Sequence, residues 1–129
     1  MVIDDPSTFL RSLLNVAISA AHPTQVLESH LPKDRTGRAV VIGAGKAAAA
    51  MARELEKRWR GSISGLVVTR YGHGVSCEKI EVVEAAHPIP DEAGRAVASR
   101  ILSLVSELGE KDKVFCLLSG GGSSLLVLP

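Results

Sequence analysis

The stretch Ala39-Val40-Val41-Ile42-Gly43-Ala44-Gly45-Lys46-Ala47-Ala48 decides how this chain is read. Its first four residues are apolar without alternation, which suits a strand covered by helices on both faces. Two glycines then turn the chain, and the alanines open a helix carrying Ala48, Met51, Ala52, Leu55 and Trp59 and ending near Gly61. The order of apolar run, turn and helix recurs downstream. Leu66-Val67-Val68-Thr69 reads as a second strand and Ile80-Glu81-Val82-Val83-Glu84 as a third, with more alternation. Asp91 caps a helix whose Ala93, Val97, Ile101, Leu104, Val105 and Leu108 form one stripe before Gly109. Val114-Phe115-Cys116-Leu117-Leu118 is a fourth strand, expected to be buried. Strands alternating with helices predict an α/β layer structure with a mostly parallel sheet flanked by helices.

One link is short. Only eight residues separate Arg70 from Lys79, whereas a parallel crossover usually takes about a dozen or more. Fully extended, such a link reaches about 26 Å, enough to return along a short strand without a helix. An antiparallel third strand is the competing reading, and it would move His87 and Asp91 to the opposite edge.

Upstream, Phe9, Leu10, Leu13, Leu14, Ala17 and Ile18 recur at helical spacing behind Asp5-Pro6, an N-cap followed by proline at the first helical position. A helix over about 6 to 21 follows from the periodicity. His22-Pro23-Thr24 breaks it, a short second helix reaches about His30, and residues 32–37 form a polar loop. The expected organisation is an N-terminal helical segment, 1–37, packing on an α/β domain, 38–129. That domain is expected to be incomplete at its C-terminus, because a new helix is starting at Leu-Val-Leu-Pro129.

The 15 Lys and Arg against 14 Asp and Glu leave a net charge of +1. That balance argues against a nucleic-acid binder working through a basic surface. The longest apolar stretches fall far below the roughly 20 residues that span a bilayer. Asp4 and Asp5 stand where a signal peptide would be positive. Cys77 and Cys116 lack a C-x-x-C spacing, so neither a disulfide framework nor a cysteine zinc site is expected, and a reduced cytoplasmic protein is the default. Both thiols read as structural, and His22 and His30 as surface residues.

Four clusters could carry chemistry. In the first, glycines at 43 and 45 would let backbone approach a ligand, and the helix N-terminus would offer N–H groups to an anion. Lys46, expected in the first helical turn, is disfavoured there by the macrodipole unless an anion sits beside it. The alternative is that the alanines are simply good helix formers and Lys46 points into water. Val40 and Ala47 exclude a Walker A loop, which needs Gly and Ser or Thr at those positions. G-x-G-x-x-G/A does match 43–48, but the second strand ends Val68-Thr69-Arg70 without the acidic residue of a dinucleotide site. Arg70 would fit NADP better than NAD, which keeps a reductase open.

The second cluster, Ser119-Gly120-Gly121-Gly122-Ser123-Ser124, can aim successive N–H groups into one concavity, with hydroxyls adding donors. A flexible turn with Ser124 as helix cap is the plainer alternative. In the third, Ala86-His87-Pro88-Ile89-Pro90-Asp91, two prolines stiffen the segment that carries His87 and Asp91. His87 could contact a carboxylate or phosphate, and Asp91 could act as a base or bind magnesium, although a helix cap alone accounts for it. The fourth, Thr69-Arg70-Tyr71-Gly72-His73-Gly74, offers Arg70 and His73 between turn glycines, or is a solvated turn. All four clusters follow strands, where open α/β sheets bind ligands. Parallel strands would bring Lys46, Arg70, His87 and both glycine loops to one edge, implying a substrate with more than one anionic group.

In this order, Val-Val-Ile-Gly-Ala-Gly-Lys-Ala-Ala (40–48), Thr-Arg-Tyr-Gly-His-Gly (69–74), Ala-Ala-His-Pro-Ile-Pro-Asp-Glu-Ala-Gly (85–94) and Leu-Ser-Gly-Gly-Gly-Ser-Ser-Leu-Leu (118–126) resemble the N-terminal part of the glycerate 2-kinase family, two-domain kinases ending in a MOFRL domain. Some members have been labelled hydroxypyruvate reductases. The resemblance runs from about Phe9 to Pro129. It implies a Rossmann-like first domain, a cleft completed by a second domain absent from this chain, and magnesium-dependent transfer of the ATP γ-phosphoryl group to the 2-hydroxyl of D-glycerate, giving 2-phosphoglycerate. The family's glycine-loop lysine matches Lys46 and its Ser-Gly-Gly-Gly-Ser loop matches 119–123. Lys46 would neutralise the transferring phosphoryl, and the glycine loop would hold phosphate or the glycerate carboxylate. The resemblance names no metal ligand within the chain, which alone is expected to be inactive. An NADPH-dependent hydroxypyruvate reductase and a non-catalytic phosphosugar-binding module are the alternatives.

Overall fold

The computed structural model describes residues 5–128. The chain divides into two compact units between Leu31 and Pro32. In the first, helix α1 (Pro6–Ala21) starts where the sequence predicts, with the Asp5 carboxylate accepting the Ser7 N–H at 3.0 Å and Pro6 in the first turn. None of its residues is buried. His22 ends α1 and begins the short α2 (Pro23–Val26), its ring Nδ1 accepting the Thr24 N–H; a 3-10 turn follows over Leu27–His30. His22 and His30 are both exposed.

The second unit is built on four strands: β1 (Ala39–Ala44), β2 (Ile63–Arg70), β3 (Ile80–Ala85) and β4 (Lys113–Leu118). They lie in the order β3-β2-β1-β4, and every neighbouring pair is parallel. The antiparallel alternative for the third strand is therefore overturned. Helix α3 (Ala48–Arg58) joins β1 to β2, and α4 (Glu92–Ser106) joins β3 to β4. The two crossovers travel in opposite directions across the sheet, and right-handed connections then place their helices on opposite faces. Ile42, Ala44, Leu66, Val68, Val83 and Ala85 pack with Val97 and Ile101 of α4. On the other face, Ala48, Ala49, Ala52 and Leu55 of α3 are fully buried. The α3 alanines thus bring helix and sheet close together.

The link between β2 and β3 carries no helix. Glu56, on α3, takes the place of one: its carboxylate accepts the N–H groups of Glu78, Lys79 and Ile80 at 2.8, 3.0 and 3.2 Å. Those bonds anchor the returning chain beside the sheet, which lets a short extended link serve a parallel pair.

Strand β4 corrects an expectation. It is an edge strand, and Val114, Cys116 and Leu118 are exposed on the face that α4, packed over β2 and β3, does not cover. Its other face is packed, with Phe115 edge-on to Trp59 at 5.2 Å between ring centroids. Cys116 is thus an exposed thiol rather than a structural one, while Cys77 is half-buried with Sγ 4.0 Å from the Ala49 carbonyl.

Candidate functional site

The chain leaves β1 for β2 and β3 on one side, then returns to place β4 on the other. The strand order therefore reverses between β1 and β4, the position where open parallel sheets form their ligand crevice. The turn at 45–47 and the loop at 119–121 meet there.

In the first turn, Lys46 differs from its expected place. Helix α3 begins at Ala48 with Ala47 as its N-cap, so Lys46 stands before the helix. Its side chain is exposed and has no ion-pair partner among the described residues. The N–H groups of residues 45–48 are bonded within the protein, whereas those of Ala49 and Ala50, in the first turn of α3, have no partner among the described residues. Gly45 donates to the Val68 carbonyl at 3.1 Å, Lys46 to the Gly120 carbonyl at 3.4 Å, Ala47 to Ser119 Oγ at 2.9 Å and Ala48 to the Gly45 carbonyl at 3.1 Å. The glycines serve the protein's own backbone. A β-carbon at Gly43 would overlap the Leu117 carbonyl, and one at Gly45, whose φ is +128°, would overlap Ser119 Oγ. Approach of the β4 chain, rather than of a dinucleotide, explains both.

The loop after β4 has the complementary character. Ser119 N–H bonds the Ala44 carbonyl at 3.1 Å and Gly122 N–H the Ser119 carbonyl at 3.3 Å, while the N–H groups of Gly120, Gly121, Ser123 and Ser124 have no partner among the described residues. Gly121 takes a left-handed conformation, φ +88°, and caps the short helix α5 (Gly122–Leu125). A left-handed residue followed by helical ones turns successive N–H groups toward one concavity. Ser124 is not the cap; its hydroxyl donates to the Gly121 carbonyl at 3.1 Å. Beside the loop lies an open cavity of about 440 Å³, lined by Leu118, Ser119, Gly121, Gly122, Ser123 and Leu126.

His87 reaches this loop from the far side of the sheet. Strands β3 and β4 are opposite edges, three strand spacings or about 14 Å apart, yet His87 Nε2 lies against Gly121: a β-carbon there would be 2.6 Å from it. Asp91 does not join them. It caps α4, with one carboxylate oxygen accepting the Gly94 N–H at 3.0 Å and the other the Tyr71 hydroxyl at 2.8 Å. The Gly94 N–H, with the Tyr71 hydroxyl next, lowers the Asp91 carboxyl below its usual range; the same hydrogen bond raises the Tyr71 phenol. Both oxygens of Asp91 thus have donors. Among the described residues no group of three or more His, Cys, Asp or Glu is placed to hold a metal ion.

Arg70 is exposed at the end of β2 and His73 in the turn beyond. That turn is held by Glu84, whose carboxylate accepts the Gly72 and Gly74 N–H groups at 3.2 and 2.8 Å. Sequence reading missed Tyr71, Glu84 and the Ser119 hydroxyl's internal role. Only the position of Tyr71 between two candidate residues pointed to it. Together the four strand ends form a closed ring: Ala47 to Ser119, Gly121 to His87, Asp91 to Tyr71, and Thr69 Oγ1 to the Lys46 carbonyl at 3.4 Å.

Fold and site thus define an open parallel α/β protein with a glycine loop offering N–H groups at its switch point. The chain belongs to the family described as "Domain of unknown function (DUF4147)", which matches residues 9–129. It is 48% identical over 121 residues to a protein of Agrobacterium vitis named "Putative hydroxypyruvate reductase", a match covering 93% of this chain and 28% of that one. It is 39% identical over 133 residues to a protein of Thermotoga maritima named "D-glycerate 2-kinase", covering 97% and 31%. The crystal structure of a glycerate kinase from Thermotoga maritima matches with a TM-score of 0.78 at 39% identity, over 96% of this chain and 31% of that one. The chain spans about 30% of the length of these relatives. The resemblance to the N-terminal part of the glycerate 2-kinases stands. Among the described residues no helix is long and apolar enough to cross a membrane.

Proposed function

We propose that this chain supplies the anion-holding part of a glycerate 2-kinase, which transfers the γ-phosphoryl group of ATP to the 2-hydroxyl of D-glycerate. The 2-oxygen forms the new bond to phosphorus, the bond to the β-phosphate oxygen breaks, the hydroxyl proton is lost, and ADP and 2-phosphoglycerate result. One observation carries this reading: the N–H groups at 120, 121, 123 and 124 are unpartnered at the switch point, whereas those at 45–48 are already bonded. Oriented N–H groups and cations are what phosphoryl transfer asks of a protein.

In this reading the N–H groups of Gly120, Gly121, Ser123 and Ser124 hold a phosphate or the glycerate carboxylate, Gly122 closes the loop on the Ser119 carbonyl, and Ser119 fixes the loop to the turn at 43–47. Lys46 neutralises charge on the transferring phosphoryl group, His87 borders the held anion, and Arg70 meets a second anionic group. Asp91 positions its segment rather than exchanging a proton, since both its oxygens have donors. Magnesium, which the resemblance implies, is commonly held by one or two carboxylates together with substrate phosphates, and the reading assigns it no particular residue of this chain. A MOFRL-type second domain completes the cleft, and the two cysteines outside any disulfide suit a cytoplasmic setting. The commitment of Gly43 and Gly45 to Leu117 and Ser119 speaks against a dinucleotide there.

The test uses the longest natural protein that carries this sequence. D-glycerate with Mg·ATP yields ADP and 2-phosphoglycerate, and Lys46→Ala lowers turnover by about 10²-fold or more, as expected for loss of one charge-stabilising group. NADPH consumption with hydroxypyruvate and no ADP would overturn the kinase reading.

A further inference from the structure

We infer that Tyr71 is a positioning residue of this site, acting through Asp91 to hold the segment 86–91 so that His87 stays against the glycine loop. The inference rests on the anion-holding role proposed above for residues 119–124.

The segment that carries His87 has few means of holding itself. Pro88 and Pro90 have no N–H to donate, and among the described residues no N–H of residues 86–90 bonds to a main-chain carbonyl, that of Ala86 acting instead on the Asp91 carboxylate at the other end of the segment. Pro88, Ile89 and Pro90 are exposed, Ile89 by 78%. What fixes the segment is therefore at its ends, and Asp91 is the last residue before α4. Its carboxylate is shared between Gly94, which ties it to the helix, and the Tyr71 hydroxyl, which ties it to the end of β2. Tyr71 is in turn anchored at its own backbone: its N–H extends the β2–β3 ladder to the Ala85 carbonyl at 3.2 Å. The two ends of one residue thus hold both ends of the segment, at Ala85 and at Asp91. The phenol itself is half-exposed, so core packing does not explain the contact.

The groups that bear on this clamp are few. Asp91 and Glu84 are the charged groups that act on the phenol. Glu84 is engaged with Gly72 and Gly74, so the hydroxyl has one acceptor, Asp91.

The experiment measures binding of D-glycerate and of inorganic phosphate by calorimetry to the longest natural protein carrying this sequence. It compares wild type, Tyr71→Phe, His87→Ala and the double variant, with thermal melting for each. Tyr71→Phe removes one hydroxyl and keeps the ring, and Asp91→Asn serves as a second variant whose single oxygen takes the Gly94 N–H while its NH2 donates to the Tyr71 hydroxyl oxygen, so that the link is kept with its direction reversed. The expected result is a three- to tenfold weaker affinity in Tyr71→Phe, of the order of one partly exposed hydrogen bond. Asp91→Asn stays closer to wild type. In the His87→Ala background the Tyr71→Phe change has no further effect, because residues acting through one another are not additive. A merely structural role would lower the melting temperature and act equally in both backgrounds, and that result would overturn the inference. Wild-type binding with no change in Tyr71→Phe would overturn the inference alone. No wild-type binding of either anion would overturn the anion-holding reading and the inference together.

Discussion

The Ser119 hydroxyl oxygen accepts the Ala47 N–H at 2.9 Å, across 72 positions of sequence. Through that bond one glycine loop becomes the support of the other. It also assigns the two loops unequal roles: the turn at 43–47 is internally satisfied, and the loop at 119–124 keeps donors to offer.

Ser119→Ala leaves the half-buried Ala47 N–H without its acceptor, at an expected cost of about 1 kcal/mol. Gly45→Ala is more severe, since a methyl would overlap Ser119 Oγ and φ is +128°; about 2–4 kcal/mol is expected from strain and overpacking combined. Denaturant melts of the two variants check the order. Equal stability would mean that the loops do not lean on each other.

At Gly121 conformation and contact point the same way. Gly121→Ala must hold φ near +88° and bring a methyl to 2.6 Å from His87 Nε2. It should reduce phosphate affinity at least tenfold, and adding His87→Ala should recover part of the lost stability by removing the overlap while leaving the dihedral strain. Stability that is unchanged on adding His87→Ala would place His87 elsewhere.

The Glu56 carboxylate should prove necessary for the helix-free return to β3. Without it, the N–H of the buried Ile80 loses its acceptor while those of Glu78 and Lys79 turn to water. Glu56→Ala is expected to cost about 1–2 kcal/mol, and amide exchange at 78–80 should rise well above that of β1. Unchanged protection there would contradict the assigned role.

Several carboxyl groups share one sign of pH dependence. Glu54 is held below its ordinary 4.5 first by the hydrogen bond from Arg58, against the opposing effect of burial and with help from Lys57. Glu81 is lowered by Arg100 and Asp91 by the Gly94 N–H. A group whose folded-state value lies below its unfolded one stabilises the protein above the unfolded value, and that contribution disappears as pH falls through the folded one. The melting temperature should therefore be nearly flat from neutrality to about pH 5 and fall below about pH 4.5. Glu54→Gln should narrow that fall, its difference from wild type shrinking as the pH drops. A constant difference down to pH 3 would contradict the assignment.

Much of this architecture could be read locally. Asp5-Pro6 and Asp91 mark the helix starts that the structure has, and residues 39–42 lie in the buried strand beside which everything else is ordered. What escaped was set by distant partners. The start of β2 at Ile63 is hidden because Ser64 and Gly65 interrupt the apolar run, although the Val41 backbone lies where a Gly65 β-carbon would be. The direction of β3 depends on a carboxylate in the preceding helix. The exposure of Val114, Cys116 and Leu118 follows from strand order, which no local pattern contains. At the site, both glycine loops were visible as motifs. Which of them keeps free donors rests on Ser119 and Ala47, and the meeting of His87 with Gly121 rests on a segment that crosses the sheet.

The most direct test follows the backbone amides themselves. With the chain labelled with nitrogen-15 and titrated with inorganic phosphate, the amide resonances of Gly120, Gly121, Ser123 and Ser124 should shift in a saturable way while those of Gly45, Lys46, Ala47 and Ala48 stay nearly still. Saturable shifts at 45–48 with none at 120–124 would contradict the account and return the first glycine turn to the role of anion cradle.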